Sequence, residues 1–126
     1  MPPRRRVDPA TGLTAVRAWQ ADPGAVGREV LKPAVLFTLE ELAARFPGNS
    51  TEVRVPPFAA VQCLPGPRHT RGTPPNVVET DAATWLRMAT GQTSWQEESD
   101  AGRVRASGER SDLSGLLPLR HLFLLG

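Results

Sequence analysis

Proline limits this chain more than any other residue. Thirteen prolines and 11 glycines fall among 126 residues. Each proline removes a backbone donor and fixes φ near −65°, so the elements are expected to be short and well punctuated. The length fits one domain, burying roughly two-thirds of the surface of its unfolded chain. Hydrophobic residues at 40% and charged residues at 22% are ordinary for a globular domain and unlike a disordered one.

Between the breaks, the apolar spacing separates helices from strands. Asp8-Pro9 reads as an N-cap followed by proline at the first helical position, with Leu13, Val16 and Trp19 behind it. Asp22-Pro23-Gly24 ends that element. A second helical stretch begins near Ala25 and meets Pro33, which is expected to break or kink it. Val35, Leu39, Leu42, Ala43 and Phe46 then fall on one helix face, and Pro47-Gly48 stops it.

The period changes at Glu52-Val53-Arg54-Val55, which alternates as a half-buried strand does. Pro56-Pro57 interrupts it. Phe58 to Leu64 makes a second strand with Ala59, Val61 and Cys63 on one face, and Pro65-Gly66-Pro67 turns the chain. Asn76 to Thr80 is a third strand. Thr80 or Asp81 caps a helix carrying Ala82, Trp85, Leu86 and Ala89, and Gly91 follows as its C-cap. Thr93/Gln96 and Ser94/Glu97 form two overlapping capping boxes for a short helix that stops at Gly102. Arg103 to Ser107 alternates again, with Val104 and Ala106 pointing one way. Ser111-Asp112 opens a last helical turn with Leu113, Leu116 and Leu117, closed by Pro118. Two or three consecutive strands with short links imply an antiparallel sheet, with helices packed on one side in an α+β arrangement. The passage from residue 76 to 107 is long enough for a crossover.

Charge and chemistry exclude several classes. Net charge is +2, with 14 Arg and one Lys. The arginines are scattered except for Arg4-Arg5-Arg6, so a nucleic-acid partner is not indicated. That triplet reads as part of a basic, flexible N-terminal arm over residues 1–7, with a single domain over residues 8–126. The lone Cys63 excludes an internal disulfide and a multi-cysteine zinc site. His69 and His121 match no metal motif. No cofactor is implied. No apolar stretch reaches the ~18 residues of a membrane span, so stable membrane insertion is not expected. With no secretory h-region either, the expected location is cytoplasmic. The leucine-rich end, Leu116 to Leu125, is expected to fold back over the sheet or a cavity mouth.

The second half resembles the sterol carrier protein family, in particular its short bacterial members. Pro75-Asn76-Val77-Val78-Glu79-Thr80-Asp81 looks like the family's strand running into a capped helix. Thr84-Trp85-Leu86-Arg87-Met88-Ala89-Thr90-Gly91 looks like its helix ending in a small residue and glycine. Gly102-Arg103-Val104-Arg105-Ala106-Ser107-Gly108 looks like its Gly-Lys-Leu-Lys-Ile-Lys-Gly strand, and Asp112-Leu113 onward like its closing turn. The resemblance is good from about Gly72 to Leu119 and extends plausibly from Ser50. It implies a mostly antiparallel five-stranded sheet covered by helices, with an apolar tunnel between the layers. It also implies non-catalytic binding of a lipid-like ligand, fatty acyl or sterol-like.

Under that reading the ligand-binding residues are Val61, Cys63, Val78, Trp85, Leu86, Met88, Val104, Ala106 and Leu117, with Arg71 at a polar mouth that orients a ligand carboxylate. Each apolar position has the competing role of plain core. Cys63 reads as a small buried hydrophobe, with a Cys63/His69 nucleophile pair as the minor alternative. Glu79 reads as an ion-pair partner of Arg71 in preference to a general base. Two rival functions remain open. One is an accessory domain acting with a separate enzyme. The other is an interaction protein that uses its leucine-rich end to meet a partner protein. A carrier has a saturable apolar cavity, an accessory domain has a stable partner, and the third self-associates until truncated after Leu119.

Overall fold

The computed structural model describes residues 5–66 and 75–124. Helix α1 spans Pro9–Ala21. The Asp8 side chain accepts a hydrogen bond from the Thr11 backbone N–H, and Pro9 occupies the first turn, where its missing N–H costs nothing. Helix α2 spans Arg28–Arg45 as one element. Pro33 does not break it. It lies in the second turn and forgoes one N–H bond, roughly a 3 kcal/mol penalty in a helix interior. The burial that follows offsets this loss, because Ala34 to Leu39, Glu41 and Leu42 are all buried. A helix enclosed on so many sides is held by packing more than by propensity.

Four strands follow in two groups. β1 (Thr51–Val55) and β2 (Ala59–Cys63) form an antiparallel hairpin, pairing Val53 with Val61 and Thr51 with Cys63. Arg28 at the start of α2 sits over the Phe58 ring at the turn, 5.7 Å from its centroid. β3 (Asn76–Thr80) lies parallel to β1, and β4 (Val104–Ser107) lies antiparallel to β3, so the sheet order is β2-β1-β3-β4. The sheet is therefore mostly antiparallel, with four strands among the described residues and not the expected five. Between β2 and β3 stand Pro65, Pro67, Pro74 and Pro75, none of which can donate to a ladder. The long passage from β3 to β4 joins antiparallel neighbours and makes no parallel crossover.

That passage holds α3 (Ala82–Ala89) and α4 (Trp95–Asp100). Asp81 caps α3 by accepting from the Thr84 N–H, and Ser94 caps α4 by accepting from the Glu97 N–H. Of the two overlapping capping boxes, the second sets the start. Beyond β4 the chain differs from expectation. Ser111 to Pro118 makes a turn closed by Leu116 N–H donating to Leu113 C=O, followed by a 3₁₀ turn, Arg120–Leu124. Gly115 and Pro118 leave no room for a regular helix.

The inner sheet face and the helices share one core. Val53, Val55, Cys63 and Val78 meet Phe37, Leu39, Leu42, Trp85, Leu86 and Met88, all essentially inaccessible to solvent. α1 packs on α2 as an outer layer. Gly12 makes this possible, because a Cβ there would lie 2.3 Å from Phe37 Cβ. Leu113, Leu119 and Leu122 return to the same core. The described part of the leucine-rich end thus lies against the helical side through Leu119 and Leu122, and the Leu119 N–H donates to Ala89 C=O at the end of α3.

Candidate functional site

The returning C-terminal segment and the end of α2 enclose a groove of 270 Å³. Arg45 and Phe46 form one wall, and Ser114 to His121 the other. Leu119 is a buried core residue, while Phe46, Leu116 and Leu117 are half-buried and packed against the core. The groove floor is therefore the outer surface of the core. The rim is cationic, with Arg45 and Arg120 both exposed and His121 beside them. A smaller cleft of 140 Å³ lies between α1 and Leu122, lined by Leu13, Val16, Arg17, Gln20 and Thr90.

One carboxylate fixes the groove's outer wall. The buried Glu41 of α2 accepts a hydrogen bond from Arg5 Nη2 at 3.1 Å and lies 3.7 Å from His121 Nε2. The Arg6 backbone N–H also donates to Glu40 of α2 at 2.7 Å. The N-terminal residues, α2 and the C-terminal turn are joined through these two carboxylates.

The sequence-predicted residues fall in three places. Cys63, Val78, Trp85, Leu86, Met88 and Val104 are buried together between the sheet and the helices, with Val61 half-buried at their margin. Trp85 Nε1–H donates to the Thr38 hydroxyl at 2.8 Å, tying α3 to α2 across this layer. Leu117 stands apart from that group, in the wall of the groove. Ala106 follows the strand alternation with Val104 and pairs with Val78. It is nevertheless exposed, as are Arg105 and Ser107, and only Val104 of this strand is buried. Arg71 and His69 lie outside the described residues, and with them the Arg71–Glu79 and Cys63/His69 pairings.

Sequence reasoning gave Arg45 and Arg120 no functional role, read Phe46 only as part of a helix face and weighed His121 only as a metal ligand. The available signal was the run Leu116-Leu117-Pro118-Leu119 ending at Arg120-His121, an apolar stretch abutting a basic pair.

The titratable groups of the core are placed for structure. Burial pushes the Cys63 thiol up to about 11, so it stays protonated and weakly nucleophilic at neutral pH. Glu98 is buried and bridges Arg103 at 2.6 Å and Arg87 at 3.3 Å. The Arg103 hydrogen bond holds its carboxyl below the usual range, against the opposing effect of burial. Among the described residues no cluster of three or more His, Cys, Asp or Glu side chains could hold a metal, and no helix is long and apolar enough to cross a membrane.

A family described as bacterial SCP orthologues matches residues 27–119. This chain belongs to that sterol carrier protein-like family. The match covers about three-quarters of the chain, from the start of α2 to Leu119. It contains the whole sheet, the buried layer and most of the groove, and it leaves out α1 and the Arg120–Leu124 turn. No curated protein matches the sequence.

Proposed function

We propose that this protein binds a lipid-like hydrophobic ligand, fatty acyl or sterol-like, without performing chemistry on it. The observation that carries the reading is the continuity of the groove floor with the apolar core inside a sterol carrier-like domain. Phe46, Leu116 and Leu117 present half-buried apolar surface outside, and Leu119 links it to the layer holding Cys63, Val78, Trp85, Leu86 and Met88. In this reading that layer is the wall of an apolar tunnel that opens when the C-terminal segment shifts. Val61 and Val104 continue the wall toward the sheet edges. A cytoplasmic setting belongs to the same proposal, since Cys63 is a free thiol and one cysteine cannot form an internal disulfide that would need an oxidising compartment.

The energetics are favourable. At ~0.8 kcal/mol per methylene, a chain of about sixteen carbons gains roughly 12–13 kcal/mol gross on burial. Subtracting an association cost of about 4 kcal/mol leaves ~8 kcal/mol, or roughly micromolar affinity. Few polar contacts are needed.

Native mass spectrometry of freshly purified protein, with organic extraction and titration by a fluorescent fatty acid, tests the reading. Co-purified lipid or saturable one-to-one binding near micromolar is the expected result. A clean apo mass together with non-saturable binding overturns it.

A further inference from the structure

One oxygen of α2 meets cationic groups from both ends of the chain. Arg5 Nη2 donates to Glu41 Oε2 at 3.1 Å, and His121 Nε2 lies 3.7 Å from the same atom. The first contact is a hydrogen bond from a group that stays charged at any ordinary pH. The second is too long for a hydrogen bond, so a neutral imidazole gains little from it. An imidazolium gains a Coulomb attraction there. The setting is sheltered, with the Glu41 side chain 11% exposed and that of His121 21%, so water weakens the attraction less than at an open surface.

We infer that Glu41 and His121 form a pH-sensitive latch on the C-terminal segment. Arg5 ties the N-terminal residues to α2 permanently, whereas His121 ties the Arg120–Leu124 turn to α2 only when it carries a proton. Among the described residues, the charged groups around His121 come from three elements. α2 supplies Glu41 and Arg45, the N-terminal residues supply Arg5, and the turn itself supplies Arg120. Glu40, beside Glu41, accepts from the Arg6 N–H, and Arg17 of α1 lines the neighbouring cleft with Leu122. The carboxylate is in contact and nearly buried, while Arg45 and Arg120 are exposed to water, which weakens their repulsion. The attraction therefore sets the sign. Histidine changes charge between pH 5 and 8, so acidification across that range tightens the latch and a rise in pH releases it. The segment it holds buries Leu119 and Leu122 in the core. What the latch gates, the entry of a chain beneath this cover, rests on the hydrophobic-ligand reading. The latch itself is measured with no ligand present.

Amide hydrogen exchange followed by NMR, corrected for intrinsic exchange rates, tests it on the full chain from about pH 5.5 to 8. The amides read are Leu119, bonded to Ala89 C=O, and Leu122, bonded to Leu119 C=O. In the native protein their protection is expected to be about fivefold greater at the acid end. The Trp85 amide, bonded to Asp81 C=O in α3, should change little and reports the fold as a whole. H121Q is expected to lose the pH response of Leu119 and Leu122. R5Q leaves His121 as the sole described partner of Glu41 Oε2 and is expected to enlarge that response. Equal pH responses in native protein and H121Q would overturn the latch, as would protection that falls in acid or an R5Q response no larger than the native one. Absence of lipid binding would overturn the hydrophobic-ligand reading and leave these exchange results unaffected.

Discussion

At the scale of single residues, Gly12 carries an unusual constraint. In an exposed helix, glycine to alanine is worth roughly 1 kcal/mol of added stability. In α1 the new methyl would meet Phe37 Cβ and Cγ at 2.3 Å, and Phe37 is fully buried. Overpacking of this kind costs about 1–3 kcal/mol, which exceeds the propensity gain. Gly12→Ala is thus expected to lower the urea midpoint with an unchanged m-value. The Phe37→Ala change, which removes Cγ and the ring and leaves only Cβ, should recover part of the loss when combined with it, since the two positions share one contact. Additive losses in the double variant would show that the clash does not govern the helix spacing.

At the scale of elements, Glu98 joins α4 to α3 through Arg87 and to the start of β4 through Arg103. Its carboxyl is held low chiefly by the Arg103 hydrogen bond. Asp81 is also low; burial raises it, but hydrogen bonds from Thr84 and the charge of Arg87 outweigh that. A carboxyl with a depressed native pKa stabilises the fold above its unfolded value, 4.5 for Glu98, and loses that contribution as pH falls through the native value. Stability should therefore be flat from neutral pH to about 5 and decline below it. Glu98→Gln is expected to be less stable at neutral pH and to show a shallower acid decline in urea titrations. An acid profile identical to that of the native protein would sink this account.

The same scale shows what the sequence disclosed. The strands near 52–55, 58–64 and 76–80 were legible from the proline breaks between them, and the first two showed their faces by alternation. The starts of α3 and α4 were legible from Asp81 and Ser94, because a cap is a local, chemically specific signal. Pro33 misled because local geometry predicts a break, whereas burial of Ala34 to Leu42 is a tertiary effect. The exposure of Ala106, two residues from the buried Val104, depends on which other elements cover that part of the strand, which alternation within one strand does not encode. The groove was hidden for a similar reason. Arg45 and Arg120 are 75 positions apart in sequence, and only the return of the C-terminal segment brings them to one rim.

At the scale of the whole molecule, the residues proposed to line a tunnel are the residues of the closed core. The layer around Trp85 is closed, with Trp85, Leu86 and Met88 showing at most 1% exposure, so a long chain enters only if part of the cover moves. One part of that cover is the C-terminal segment, held by Leu119 N–H on Ala89 C=O, by His121 against Glu41 and by the buried Leu113, Leu119 and Leu122. Groove-only binding and entry into the tunnel can be separated by the position of the tryptophans. In a W19F/W95F variant the remaining emission comes from Trp85, deep between α3 and α2. Saturating hexadecanoate is expected to shift that emission and to raise the melting temperature by about 10 °C, the equivalent of roughly 2.7 kcal/mol at one hundred times Kd. Thermal stabilisation with an unmoved Trp85 spectrum would confine the ligand to the groove and refute the tunnel. A shift of both signals would place the chain beside Trp85 and support the proposed tunnel, with the packed core as its closed form.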